Sequence, residues 1–468
     1  MRSISIALLA VIYAWEAPVS RAEGPVPQRP NILVIITDQQ SADAMSCRQG
    51  DRYLKTPNMD RLAARGTVFT RAYAANPICI PSRTAMLTGR YPHETGVQSN
   101  DKKPFDTKSF PTVGTIFRQA GYSTGYVGKW HLLFPGGDPV ASGFDFATNL
   151  KNNGGDASTP AAVAEFLARK HERPFLLVAS FVNPHNICEW ARGDKLPDGP
   201  VGKPPPADQC PPLLDNRAPT ADEPDVLSYA RKSYQASPLF PVGGFDEAKW
   251  RQYRWAYYRM IEKTDALIGR VLEALKSSGH VEDTLIVLTS DHGDCQGAHG
   301  WNQKTVFFEE SIKVPFLVCA PGLRQAGNSD RLVQTGIDLV PTLCDFAGIA
   351  KPKALPGISQ RAPAEGAASA DSRRYIVASD HLVQGEPVDG VSIKPAGRML
   401  VSERFKYCVY DQGRCRESLV DLKNDPGEKQ NIAGDPAFAK VLNEHRALLL
   451  EWSREARDVS FPFVPPKD

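Results

Sequence analysis

The chain has 468 residues, a formal net charge of +2, 23% charged and 42% hydrophobic residues. These are the proportions of an ordinary globular protein, and no long basic run follows a nucleic-acid backbone, which excludes nucleic acid as an expected partner. The length suits a large α/β core with a smaller appendage.

At the N-terminus Met1-Arg2-Ser3 precedes the apolar run ISIALLAVIYAW and then APVSRAEG, with a small-x-small cleavage site after Ala22. The run is shorter than the ~18 to 20 residues a membrane span needs. Residues 1–22 are therefore read as a cleaved signal peptide, with a periplasmic or secreted destination and no stable membrane insertion. Export bears on the nine cysteines, because disulfides persist in oxidising compartments and an odd count leaves one over. Cys408 and Cys415 flank VYDQGR, read as a hairpin tip, and Cys188 and Cys210 bracket a Pro-rich loop, so both pairs are candidates for bridges. Cys319 and Cys344 lie in apolar segments that suit buried thiols as well. Cys79 is the candidate odd cysteine.

The run NILVIITD, ending at Asp38, is continuously apolar, as a strand covered on both faces must be. FLLVASF, TLIVLTSD and VPFLVCAP repeat the pattern further along. Helical patterns alternate with them in TPNMDRLAARG, PTVGTIFRQAG, PAAVAEFLARK and a long stretch from Asp246 to Ser278. The alternation predicts an α/β fold built on a large, mostly parallel, doubly wound sheet. Gly66, Gly121 and Gly279 stand where left-handed helix caps are expected. Residues 188–245 read as a long irregular insertion of the kind that shapes access to a site. Residues 352–373 read as a linker. RYIVAS, RMLVSE and FKYCVY then predict short strands, followed by a helix over about 436–453. The expected organisation is a catalytic domain over 23–365 and a small antiparallel α+β subdomain over 366–468.

Two of the predicted strands end in polar pairs, Asp38-Gln39 and Asp291-His292. Ligands of open α/β sheets bind beyond the carboxyl ends of strands, so pairs far apart in sequence converge there. Two carboxylates, an amide oxygen and an imidazole suit a divalent cation; the oxygen majority favours Ca²⁺ over Zn²⁺, with Mg²⁺ and Mn²⁺ still open. Taken singly, an Asp at a strand end serves equally as a turn or helix cap.

Around these pairs stand Cys79-Ile80-Pro81-Ser82-Arg83 with TAMLTGR after it, TPNMDRLAARGTVFTRAY, GYVGKWH, NPH, SDHGD with GAHGWNQK, and GIDLVPTLCDFAGI. In this order they resemble the type I sulfatases, a branch of the alkaline phosphatase superfamily, over most of the chain. The resemblance implies that Cys79 is oxidised to formylglycine (3-oxoalanine) by a formylglycine-generating or anaerobic sulfatase-maturating enzyme that reads Pro81 and Arg83. The hydrate of that aldehyde is then the nucleophile.

Sulfate monoesters are anions that repel nucleophiles, so a hydrolase must screen charge, activate an oxygen and protonate a poor leaving group. The resemblance implies a metal held by Asp38, Gln39, Asp291, His292 and the matured Cys79, able to acidify one hydroxyl of the hydrate and polarise sulfate. Cys79 opens a predicted helix whose free N–H groups and dipole favour an anion. By likeness, Arg83 holds the hydrate and the metal ligands, and Lys129 steadies hydrate and sulfate. His131, on a shared strand face with Lys129, takes the proton that lets the sulfated intermediate collapse. His185 is the implied acid for the departing alcohol. Lys304, twelve residues after His292, has a spacing similar to the iduronate 2-sulfatase branch and should contact sulfate. His299 is a candidate substrate contact.

The chain also departs from the family pattern. Many members carry two Asp residues where this one has Asp38-Gln39, and Asn where it has His292, which leaves only two formal negative charges for the cation. The implied substrate is a sulfated saccharide, with Trp190, Arg192, Trp250, Arg254 and Trp301 able either to meet it or to serve the fold. Phosphodiester or phosphonate monoester hydrolysis on the same fold is the alternative chemistry, and a glycan binder with unconverted Cys79 is the non-enzymatic one.

Overall fold

The computed structural model describes residues 29–101, 103–323, 327–369, 371–382 and 385–462. The expected signal peptide lies outside them. Eight strands form the main sheet: β1 (Asn31–Asp38), β2 (Thr67–Tyr73), β3 (Ser123–Gly128), β4 (Phe146–Thr148), β5 (Phe175–Pro184), β6 (Thr284–Ser290), β7 (Phe316–Cys319) and β8 (Gly327–Gln334). Their order is β4-β3-β5-β1-β6-β7-β2-β8, and only β7 runs against its neighbours β6 and β2.

All eight residues of β1 are buried, and the reason is two-sided cover. Leu33 and Ile35 join the core beneath the helices Pro57–Ala63, Thr159–Leu167 and Glu247–Ser277. Ile32, Val34 and Ile36 point the other way, under Cys79–Thr88, Val113–Gln119 and Thr335–Phe346. A strand whose alternate residues both meet apolar helices must read as an unbroken hydrophobic run.

A second, antiparallel sheet has the order β12-β11-β10-β9, with β9 (Tyr375–His381), β10 (Ala396–Ser402), β11 (Phe405–Tyr410) and β12 (Glu417–Asp421). One face packs on the helix Ala439–Glu455 through Leu400, Tyr407, Leu449 and Trp452. The other meets Phe307, Phe308 and the helix Asp225–Ala236 through Ala378, Met399 and Tyr410. That helix lies in the stretch read as irregular. Its buried residues Val226, Leu227, Ala230 and Tyr234 recur at helical spacing, but prolines on both sides dominate the local reading. No helix among the described residues is long and apolar enough to cross a membrane.

Three local expectations are corrected. All nine cysteines are free: Cys188 meets Gln39, Cys210 meets Pro205, and Cys408 is buried in the core while Cys415 is exposed. Gly121 and Gly279 are left-handed caps, whereas Gly66 is not. A Cβ at Gly66 would lie 2.5 Å from the Val318 oxygen, so close backbone approach to β7 is what requires glycine there. The shared strand face of Lys129 and His131 is also absent. β3 ends at Gly128, and His131 is left-handed with φ 48°, which breaks the extended alternation.

Candidate active site

β1 and β6 are parallel neighbours with Thr37 opposite Ser290, so Asp38-Gln39 and Asp291-His292 emerge side by side at the same sheet edge. The helix Cys79–Thr88 begins against them. Its first turn is fixed from outside: Asn100 Oδ1 accepts the Ile80 N–H at 3.1 Å, and Ser82 Oγ donates to the Asp291 carbonyl at 2.6 Å. Cys79 is thereby held with Sγ 3.2 Å from His292 Nε2 and 2.9 Å from Lys304 Nζ.

Arg83, one turn further, ties the two carboxylates together. Its Nη2 reaches Asp38 Oδ2 at 3.0 Å and its Nε reaches Asp291 Oδ2 at 2.7 Å, with Nη1 donating to Ser180 Oγ at 3.0 Å. Lys129 Nζ stands 2.7 Å from the same Asp38 oxygen. All of these groups are buried, so their charges are poorly screened. Burial pushes the Asp38 carboxyl up, yet Lys129, His185, Arg83 and Lys304 outweigh it and hold the group well below the usual carboxylate range. Asp291 goes the other way, to about 6, through burial and the neighbouring Asp38 charge. For Cys79, burial and Asp38 raise the thiol, but Lys304, His292 and Lys129 prevail and lower it well below its ordinary value. Lys304 is held charged above its ordinary value, against burial, by Cys79 and Asp38.

The residues fit a divalent cation. One oxygen of buried Asp38, Oδ1, has no hydrogen-bond partner among the described residues. His292 Nδ1 lies 3.0 Å from the Gly293 carbonyl, which can accept only the Nδ1 proton, so a neutral ring would present its Nε2 lone pair toward Cys79 and the carboxylates. Ligand atoms of Asp38, Cys79, Asp291 and His292 all lie within 4.8 Å of one another. Gln39 is left-handed at φ 71°, and its Oε1 accepts from Lys304 Nζ at 3.0 Å, the ammonium that also touches Cys79.

His185 follows β5 at the adjacent strand end. Burial, Lys129 and Lys304 lower its pKa to about 4, while Asp38 and a hydrogen bond with Cys79 oppose them. The backbone before it is gripped by Asp156, which accepts from Val182 N at 2.6 Å, Asn183 N at 2.9 Å and Asn183 Nδ2 at 3.0 Å. His131 is half-buried, its backbone N–H held by Asn152 Oδ1 at 2.9 Å.

His299 is placed differently from its expectation as a substrate contact. It is fully buried, stacked on Phe308 at 3.7 Å, with Nε2 beside Asn216 Nδ2 and Nδ1 beside Thr220 Oγ1. Trp250, Trp301 and Arg254 are likewise buried, and Trp190 carries Lys249 over its ring at 4.3 Å. Asn100, Asp156, Ser180, Tyr253 and Asp294 support the site without having been singled out from sequence. Asp294 lies inside the SDHGD run, but its partners Gln39 and Tyr253 are distant in the chain.

Comparison with known proteins places this arrangement. The family described as Sulfatase matches residues 30–349, and the description N-sulphoglucosamine sulphohydrolase, C-terminal, matches 297–455. The chain is 32% identical to a Delta 4,5-hexuronate-2-O-sulfatase of Bacteroides thetaiotaomicron, covering 93% of this chain and 91% of the relative. An N-acetylglucosamine-6-O-sulfatase of the same organism is 27% identical, over 92% of this chain and 87% of its own length. Among solved structures, one described as a 2-O GAG sulfatase superposes with a TM-score of 0.79 at 30% identity, covering 94% of this chain and 95% of that one.

Proposed function

This chain belongs to the sulfatase family and is a sulfuric ester hydrolase; from that premise we propose that it removes sulfate from a sulfated saccharide, a glycosaminoglycan or other polysaccharide fragment, after Cys79 has been matured to formylglycine. The saccharide class is supported by relatives named for hexuronate 2-O-sulfate and N-acetylglucosamine 6-O-sulfate. The observation that carries the reading is Cys79 at a helix start, touching Lys304 and His292 beside two carboxylates. A destination outside the cytoplasm, with maturation by a formylglycine-generating or anaerobic sulfatase-maturating enzyme, belongs to the same proposal.

Matured Cys79 supplies a hydrated aldehyde as the nucleophilic group. Asp38, Gln39, Asp291 and His292 would hold the divalent cation, Ca²⁺ on the oxygen-rich donor set, which supplies Lewis acidity where those donors converge. The remaining work falls to the chain's own side chains. Lys304 and Lys129 bring two buried ammonium groups to the place where an anionic sulfate must sit, and low local polarity makes that charge count. Arg83 keeps Asp38 and Asp291 apart in position and paired in charge. His185 is neutral in the free protein, and a bound sulfate, by countering the two lysines, favours the protonated ring that can donate to the leaving alcohol. His131 is the proposed base that returns the site to its aldehyde form.

The test joins mass spectrometry of the Cys79 peptide with desulfation of defined sulfated saccharides and, in parallel, hydrolysis of phosphonate monoesters. The expected result is aldehyde at position 79, saccharide desulfation, and loss of turnover in Cys79→Ala and Cys79→Ser without unfolding. Full activity from a chain bearing an unmodified thiol overturns the proposal.

A further inference from the structure

Gln39 contributes a neutral oxygen at a position where a carboxylate would bind a hard cation more strongly. Its amide is gripped from both ends. Nε2 donates to Asp294 Oδ2 at 2.7 Å, while Oε1 accepts from Lys304 Nζ at 3.0 Å, on the side where the same Nζ touches Cys79.

Asp294 is fully buried and is met by two further donors. The Tyr253 hydroxyl, on the long helix Glu247–Ser277, reaches Oδ1 at 3.2 Å and Oδ2 at 3.0 Å, and the Gln296 backbone N–H donates to Oδ1 at 2.8 Å. Each of these groups has a proton to give, and an ionised carboxylate can only accept. The arrangement therefore suits a charged Asp294 and permits one orientation of the Gln39 amide, with NH₂ toward Asp294 and oxygen toward Lys304.

We propose that Asp294 is a positioning residue for the cation site. It locks the Gln39 oxygen toward Asp38, Cys79, Asp291 and His292, and it supplies from behind the amide the negative charge that Gln39 lacks. The proposal rests on the cation reading above. A carboxylate one side chain removed from the donors attracts a cation less than a direct ligand does, but in a buried site its field is little screened. Partners that orient a ligand in this way commonly govern affinity as strongly as the ligands themselves.

The experiment is a titration of chelator-treated chain with calcium chloride, followed calorimetrically, for the wild type, Asp294→Asn and the double variant Gln39→Asp/Asp294→Asn. Asp294→Asn removes the charge and lets the Gln39 amide turn over, so its Ca²⁺ affinity should fall by about 10- to 100-fold. The double variant moves the carboxylate into the donor set and should recover most of that loss. Because both chains carry the Asp294→Asn change, a defect of folding depresses both, whereas a defect of charge and orientation is rescued in the double variant. Wild-type affinity in Asp294→Asn, or equal losses in the two variants, overturns the role of Asp294 while leaving the cation reading intact. A wild type that takes up no Ca²⁺ overturns both.

Discussion

Lys304 Nζ lies 2.9 Å from Cys79 Sγ across 225 residues of sequence, and the same ammonium touches Gln39 at 3.0 Å. A buried ammonium is thus fixed against the thiol proposed to be matured and against a proposed metal ligand. Lys304→Ala removes the charge proposed to meet an incoming sulfate. Turnover should fall by about 10²- to 10³-fold, the usual cost of one preorganised electrostatic partner. Steady-state kinetics on chain whose Cys79 conversion has been verified by mass spectrometry checks this; an unchanged kcat contradicts it.

Arg83 neutralises two buried carboxylates at once, Asp38 at 3.0 Å and Asp291 at 2.7 Å. Replacing it with Met leaves both without that partner, and removing one member of a buried ion pair costs about 3–5 kcal/mol. Urea denaturation of Arg83→Met in the presence of a chelator should show a loss of this size. Added Ca²⁺ should return part of it if the cation takes over the neutralising role.

Asp156 ties the end of β5 beneath His185, and burial with the nearby Asp198 charge raises its pKa to about 6 from 3.8. A carboxyl whose folded pKa is raised binds its proton more tightly in the native state. Its contribution is therefore fully present below pH 3.8 and is lost as pH rises through about 6. The shift corresponds to roughly 3 kcal/mol across that window. Asp156→Asn cannot titrate, so the stability of wild type relative to Asp156→Asn should decline between these pH values and level off above them. Parallel pH-dependent curves for the two chains would show that the residue does not titrate in this range.

Gly128 ends β3 at φ 97°, and a Cβ there would lie 1.9 Å from the Ser180 oxygen, which also accepts the Lys129 N–H at 2.9 Å. Gly128→Ala should cost at least about 1–3 kcal/mol for the backbone conformation alone. It should also displace Lys129 from Asp38, lowering turnover together with the melting temperature. A variant with wild-type melting and kinetics would refute that coupling.

Much of the site was legible as motif. Asp38-Gln39 and Asp291-His292 close continuous apolar runs, and Cys79 to Arg83 form a compact run at a helix start, so local pattern located them, while their joint reading came from the resemblance to the type I sulfatases. For His299 local pattern left the surroundings of the ring unstated. His299 looks from sequence like any histidine near a site, but its ring is stacked on Phe308 and bonded to Asn216 and Thr220 from the insertion. The two candidate disulfides are not formed, and spacing along the chain could not have said so, because it does not show that Cys408 is buried in the core.

What the sequence by itself determined was the strand and helix alternation, because it is written in short-range periodicity; the candidate reactive cluster was named through the resemblance that its motifs carry to the type I sulfatases. Tertiary structure alone decided the charge balance and the support. Lys304 on Cys79, Lys129 on Asp38, Asp294 behind Gln39 and Asp156 beneath His185 are contacts between distant segments. Each exists only once adjacent strand ends have been brought to one sheet edge, because hydrogen bonds and buried charges act over a few ångströms whatever the distance along the chain.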